Sequence, residues 1–451
     1  MKVPKETVSV FGLGVVGLVT AVSFARGGYR VLGFDVDRAR LEKIQNGLSP
    51  FFEPQLQEYL VDALRSERLS VTDDTLLNAK SEFAFVTVGT PAKEDGSINL
   101  EYTKKAAFTV GESLRFARNR QTVLIKSTVT PGTTRNCLKP IIEQASGKRA
   151  GKDFGLCSNP EFLREGHAIQ DAEFPDRIII GTDDQLTLET VERFYRELYS
   201  NLPLVLCTTY ENAELIKYAN NAYLATKISF INAIANIAER TPRADVKIIS
   251  KGIGIDDRIG SKFLNAGIGW GGSCLPKDLK ALVAHSTSVG YEPDLLQSVI
   301  HTNQKQAERT VHLANVALGS LRGKKVAVLG LAFKPETDDV REAVSISIIR
   351  NLLAEGAVVA AYDPAAMENA RAKFNTSVSF ASNAIECVTS TDCCIIATEW
   401  LEFTNLTPQI FATKMRHSLV IDGRRIYDPA QFINAGIEFY AIGLGPDFVP
   451  K

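Results

Sequence analysis

At 451 residues the chain has room for about three domains, on the usual ~100–200 residues each. Its 51 basic and 52 acidic residues leave a net charge of −1, which argues against a nucleic-acid-binding or membrane-surface protein of the ordinary basic kind. Seven cysteines with no CxxC pair and five scattered histidines argue against a disulfide framework and a metal site, and point to a reduced, cytoplasmic setting.

The uncharged run from Thr7 to Ala25 follows Lys2 and Lys5 and superficially resembles a signal peptide. Gly12, Gly14 and Gly17 interrupt it, and Arg26 follows in place of a small-residue cleavage site. Val8–Phe11 instead predicts a buried strand, Gly12-Leu13-Gly14-Val15-Val16-Gly17 a tight turn, and the residues to about Gly27 a helix. A second strand, Arg30 to Phe34, ends at Asp35. The turn, with Val15 and Val16 opening the helix, brings backbone and a helix N-terminus up to a pyrophosphate. Asp35, 18 residues past Gly17, is placed to accept ribose hydroxyls and to repel a 2′-phosphate, which favours NAD over NADP. Arg38 and Arg40 weaken that preference a little. The competing reading is a glycine-rich turn without a cofactor.

Further strands are expected at Phe83–Val88 and Thr122–Lys126, each ending in a polar loop. Ligands bind beyond the carboxyl ends of parallel strands, so Thr90 and Thr128 are candidate contacts. Thr130 and Thr133 serve equally well as helix caps. Asn159-Pro160-Glu161 through Gly166 predicts a short helix, with Glu161 and Glu165 on one face. Asp176–Gly181 predicts another strand.

Glu211 to Glu239 contains no Pro or Gly and predicts a helix of about 29 residues, a length suited to a connector or dimer spine. Lys217 and Asn221 lie one turn apart and could form a hole for an oxyanion, or merely sit on a solvated face. Arg258 and Lys262 precede Phe263-Leu264-Asn265-Ala266-Gly267 and could meet an anionic ligand. Gly269-Trp270-Gly271-Gly272-Ser273-Cys274-Leu275-Pro276-Lys277-Asp278 then sets a thiol just before a helix that Pro276 begins and Asp278 suits electrostatically. Such a position lowers a thiol pKa, so Cys274 reads as a nucleophile on a glycine-rich loop; the alternative is a structural cysteine in a tight turn.

The last part repeats the first in outline: strand Lys324–Gly330, helix Ser345–Glu355, strand Val358–Tyr362 and then Asp363. Gly330-Leu331-Ala332-Phe333-Lys334 is not GxGxxG, so a second NAD is not expected. Lys334 and Arg341 bracket this turn and suit phosphates. Asp422-Gly423-Arg424-Arg425 puts guanidinium groups at a strand end. The fold expected is α/β: two Rossmann-like doubly wound parallel-sheet domains joined by a long central helix and a helical middle region. The divisions expected are residues 1–205, 206–315 and 316–451.

The motifs GLGVVG, VGTP, STVTPGT, NPEFLREG, ELIKYANN, GWGGSCLPKD, GLAFKPETDDVRE and DGRR, in this order over nearly the whole chain, resemble the UDP-glucose/GDP-mannose dehydrogenase family. NPEFLREG with PDRIIIG is most similar to the members acting on UDP-glucose; Trp270 stands where the family more often has Tyr or Phe. The resemblance implies a four-electron, NAD-dependent oxidation of a sugar C6 alcohol to a carboxylate in a homodimer. Cys274 is then the nucleophile, Lys217 and Asn221 stabilise the oxyanions, and Asp278, with Thr128 and Glu161, manages the hydrolytic water. Glu165 lies at the sugar–nicotinamide junction, and Arg341 and Arg40 touch NAD. Lys334 and Arg424 bind the nucleotide sugar, and Arg258 reaches across the dimer. Phe162, Leu163, Phe263, Leu264, Gly267 and Gly271 complete the sugar's surroundings. Rival readings are a two-electron NAD dehydrogenase with a structural Cys274, and a non-catalytic NAD-sensing protein.

Overall fold

The computed structural model describes residues 6–447; Lys2 and Lys5 lie outside the described residues. Its contacts divide the chain into two compact units, the first running to Asn220 and adding Lys280–Ser288, the second taking Asn221–Leu279 and the chain from Val289. The segment 206–315 contributes residues to both units. Among the described residues no helix is long and apolar enough to cross a membrane.

The first unit holds an eight-stranded sheet: β1 (Thr7–Phe11), β2 (Arg30–Phe34), β3 (Leu69–Thr72), β4 (Phe83–Val86), β5 (Thr122–Ile125), β6 (Gly155–Ser158), β7 (Arg177–Gly181) and β8 (Leu204–Thr208). Their order is β3-β2-β1-β4-β5-β6-β7-β8, so the connections reverse direction beside β1. Every neighbour pair is parallel except β6 and β7. Val8 and Val10 of β1, and all of β4 and β5, are buried, as a sheet covered on both faces requires. The helix Val15–Arg26 packs over it with a nearly continuous buried run from Gly17 to Ala25, so its apolar character is not a stripe.

The short helix expected over 159–166 does not form. The segment is irregular, and the helix begins only at Ala168. Its polar groups are drawn to distant partners instead. Lys217 takes the Glu161 carbonyl and carboxylate, and Glu53 accepts the N–H groups of Gly166 and Ala168 at 2.8 Å each. Glu161 and Glu165 therefore do not share a helix face.

The second unit holds a six-stranded, all-parallel sheet: β9 (Lys325–Leu329), β10 (Val358–Tyr362), β11 (Val378–Phe380), β12 (Cys393–Ile396), β13 (Leu419–Asp422) and β14 (Glu438–Ala441), in the order β11-β10-β9-β12-β13-β14. The same reversal beside its first strand makes it the counterpart of the first sheet. The long helix is Tyr210–Ala238, 29 residues. It gives Tyr210–Asn220 to the first unit and the remainder to the second.

Candidate active site

In the first unit the turn after β1 is shaped by two close approaches. Gly12 has φ +94°, and a Cβ there would lie 2.9 Å from Val88. A Cβ on Gly17 would lie 1.7 Å from the Gly12 carbonyl oxygen, so helix and turn meet only because both are glycine. Gly14 caps the helix, and a Cβ there would meet nothing within 4 Å: this side of the turn opens outward. Thr87 donates its hydroxyl to the Phe11 and Gly12 carbonyls and fixes the turn from β4. Asp35 faces inward, with Oδ2 accepting from Leu13 N–H at 2.7 Å and from the Arg40 guanidinium at 2.9 Å. Each carboxylate oxygen has more than one acceptor position, so these bonds leave Asp35 able to take a hydroxyl. Thr90 is buried and Thr128 half-buried beyond β4 and β5, on the ligand side of the sheet.

The same unit contains a buried ion pair. Lys217 donates to the Glu161 carbonyl at 2.7 Å and to its Oε1 at 2.9 Å, and both side chains are under a tenth exposed. Glu161 Oε2 also takes Leu163 N–H at 2.6 Å. Phe162 packs between cations, with the Arg177 guanidinium 3.9 Å and Lys217 Nζ 5.3 Å from its ring centre. Glu165 is half-buried in the same loop.

Two groups here go beyond the sequence reading. Glu214, one turn before Lys217, is buried and accepts Gly132 N–H at 2.6 Å and Thr134 N–H at 2.8 Å, bracing the loop that carries Thr128. Burial pushes its carboxyl up to about 7, against the pull of those bonds. Lys126, at the end of β5, donates to Asn159 Oδ1 at 3.1 Å, where the Tyr195 hydroxyl also donates. A lysine closing the apolar run Thr122–Ile125 at the ligand end of a strand was the available signal.

Loss of solvation lowers Lys126 from 10.5 to about 8; the Glu161 and Cys157 charges oppose this and Lys217 reinforces it. The folded protein then holds fewer protons than the unfolded chain between these values. Its stability should rise from pH 8 to 10.5 and level off below 8, where both states hold the proton. Thermal unfolding across this range should show that slope in the native chain and a flatter one in Lys126→Met.

In the second unit Cys274 is exposed, and its carbonyl accepts Asp278 N–H at 2.9 Å, so it caps the helix Leu275–Ser288. Asp278 is buried; Oδ2 accepts from Asn221 Nδ2 and Oδ1 from Lys277 Nζ, both at 2.6 Å. The preceding loop is buried from Ala266 to Gly272. A Cβ on Gly271 would lie 2.3 Å from the Glu342 carbonyl and one on Gly267 2.9 Å from that of Gly423, so neither position admits a side chain. Leu264 is buried in the core and Phe263 partly exposed. Trp270 is buried, and its indole N–H donates to Ser229 at 2.9 Å.

Arg424 reaches from the end of β13 to the Ala397 carbonyl at 2.8 Å and the Gly269 carbonyl at 3.1 Å. Lys334 is half-buried over Phe333. Arg341 forms a fork with Asp339, and Arg258 lies exposed against Asp256. The turn after β9 shares with its counterpart after β1 the bond from the N–H that follows the first glycine to the acid of the next strand, and adds two more. Asp363 Oδ2 takes Leu331 N–H at 2.7 Å, Ala332 N–H at 3.0 Å and the Trp400 indole at 3.1 Å. Those N–H groups are already occupied by the chain's own acid.

Residues 6–199, 211–305 and 327–429 match, in turn, the NAD binding domain, the central domain and the UDP binding domain of the UDP-glucose/GDP-mannose dehydrogenase family. A UDP-glucose 6-dehydrogenase of Haloferax volcanii is 43% identical over 420 residues, covering 93% of this chain and 96% of that protein. One of Bacillus subtilis is 39% identical over 440 residues, covering 97% of this chain and 93% of its own. The solved structure of a UDP-glucose dehydrogenase from Pyrobaculum islandicum superposes with a TM-score of 0.89 at 37% identity, covering 98% of this chain and 99% of that one. With the glycine cradle, the exposed thiol and the paired sheets in place, these matches mean that the chain belongs to the UDP-glucose/GDP-mannose dehydrogenase family and carries its NAD binding, central and UDP binding domains.

Proposed function

We propose that the chain oxidises the C6 alcohol of UDP-glucose to UDP-glucuronate through a covalent thioester. The observation that carries this reading is Cys274, an exposed thiol at a helix N-terminus on an otherwise buried loop, with the buried Asp278 one turn further on. Oxidising an alcohol once needs no thiol; carrying the aldehyde on to an acid does. The names of the relatives from Haloferax volcanii and Bacillus subtilis support glucose as the sugar.

The 12–17 turn fits a dinucleotide, because its glycines leave backbone exposed where a side chain would obstruct. NAD held there, with Asp35, Arg40, Val15, Val16 and Thr90 around it, supplies the hydride acceptor for both oxidations. Lys217 and Asn221 stabilise the C6 alkoxide as its proton passes to solvent, and loss of hydride from C6 to the bound acceptor leaves the aldehyde. The Cys274 sulfur then adds to the aldehyde carbon, giving a thiohemiacetal whose oxygen the same two residues hold. Loss of hydride from that carbon leaves a thioester. Asp278 takes a proton from water positioned by Thr128 and Glu161, the C–S bond breaks, and the carboxylate leaves with the thiol restored. Glu165 and Arg341 serve the nicotinamide side. Lys334 and Arg424 serve the nucleotide sugar, and Phe162, Leu163, Phe263, Leu264, Gly267 and Gly271 shape the sugar's surroundings.

The reading extends to a cytoplasmic homodimer. Tyr223, Phe230 and Ile237 recur every seven residues on the long helix and are 62%, 52% and 62% exposed, a stripe that a second copy would cover. Arg258 would then reach the partner's substrate.

A substrate panel tests the reaction. UDP-glucose with NAD should yield two NADH per sugar, and GDP-mannose, UDP-N-acetylhexosamines and NADP should be poor. One NADH per sugar would defeat the thioester, a better rate with another sugar would move the substrate, and NAD binding without turnover would leave a sensor.

A further inference from the structure

The segment from Ala266 to Gly272 is buried but belongs to no helix or strand. Buried backbone must still place its N–H and C=O groups. In this loop side-chain carboxamides take four of them. Gly267 donates its N–H to Asn232 Oδ1 and accepts from Gln306 Nε2 at its carbonyl, each at 2.8 Å. Trp270 donates its N–H to Asn303 Oδ1 and accepts from Asn303 Nδ2 at its carbonyl, again at 2.8 Å each.

An asparagine amide shows one acceptor and one donor side by side. Asn303 therefore pairs with Trp270 as a residue of a neighbouring strand would, with no strand present. The approach is close: Gly269 has φ +112°, and a Cβ there would lie 2.7 Å from Asn303 Oδ1. The supports are themselves fixed. Asn232 and Gln306 are fully buried, and Asn236 donates to Gln306 Oε1 at 3.3 Å. Cys274 follows four residues after Trp270.

We propose that Asn303 is a positioning residue for Cys274, setting the loop in its thiol-presenting shape before any substrate arrives. The proposal rests on Cys274 acting as the nucleophile. A thiol must be held within about 0.5 Å of its line of attack, and a misplacement of about 1 Å can cost about 100-fold in rate. The effect should fall on the chemical step rather than on binding.

The test compares Asn303→Leu, which removes both bonds, with Asn303→Asp, which keeps the acceptor for Trp270 N–H. In both, kcat with UDP-glucose and NAD should fall, by about 10–100-fold for Leu and less for Asp. KM for the sugar and Kd for NAD should stay within about 3-fold, and exchange of the Trp270 amide hydrogen should speed up in the same order. Unchanged kcat in Asn303→Leu overturns the proposal, as does a fall in both variants that NAD affinity and melting temperature share. Alkylation of the unaltered enzyme separates the two claims. Turnover that survives it refutes the nucleophile; turnover lost to it, with normal kcat in Asn303→Leu, refutes only the positioning role.

Discussion

Cys274→Ser should cut UDP-glucuronate formation by about 10³-fold or more while leaving NAD and sugar binding intact. The sulfur makes an aldehyde carbon give up hydride as a thiohemiacetal and then leave from a thioester; a serine alkoxide at neutral pH does neither well. The NADH yield per sugar should drop towards one or vanish, depending on whether the aldehyde escapes. Stopped-flow absorbance of NADH with product analysis reads both quantities. Undiminished glucuronate would end the covalent mechanism.

Alkylation gives an independent version of the same experiment, because most other thiols are poor competitors. Cys157 and Cys387 are buried and pushed up to about 12, and Cys393 and Cys394 are raised by the same loss of solvation. Cys207 is exposed, yet partial burial and its contact with Glu192 push it up to about 11. Iodoacetamide near pH 7.5 should therefore inactivate mainly through Cys274, and a Cys137→Ala background removes the remaining half-buried thiol.

Lys217→Met should lower kcat/KM by about 10²–10³-fold, the usual effect of removing one donor from an oxyanion site. It should also cost about 3–5 kcal/mol of stability, since it strands the Glu161 carboxylate, 8% exposed, without its cation. The two effects can be separated. Adding Glu161→Gln removes the stranded charge and should recover most of the stability, because a buried pair replaced on both sides is often near neutral. Activity should stay lost, since neither the cation nor the water-holding carboxylate returns. Urea unfolding and steady-state kinetics on the single and double variants check this. Turnover that recovers together with stability would make Lys217 a structural residue.

Much of the local structure was legible in the sequence because neighbouring residues set it. The first turn needs glycine at 12 and 17 for steric reasons that any backbone of that shape imposes. The long helix follows from the sequence almost to the residue, since 29 positions without Gly or Pro leave little else to form. The cap at Cys274 followed from Pro276 and Asp278, and both sheets from apolar runs spaced by helices.

Only the tertiary structure decided where buried polar groups found their partners. Sequence propensity called for a helix over 159–166, but Lys217 and Glu53, 56 residues from Glu161 and 113 from Gly166, took the groups concerned. The same holds for Asn221 on Asp278, Asn303 on Trp270 and Asp363 on the turn after β9, pairs separated by 57, 33 and 32 residues. No periodicity marks such pairs in advance. A buried donor takes whichever acceptor folding brings within about 3 Å, and leaving it unpaired costs about 1–3 kcal/mol, enough to override a short segment's intrinsic preference.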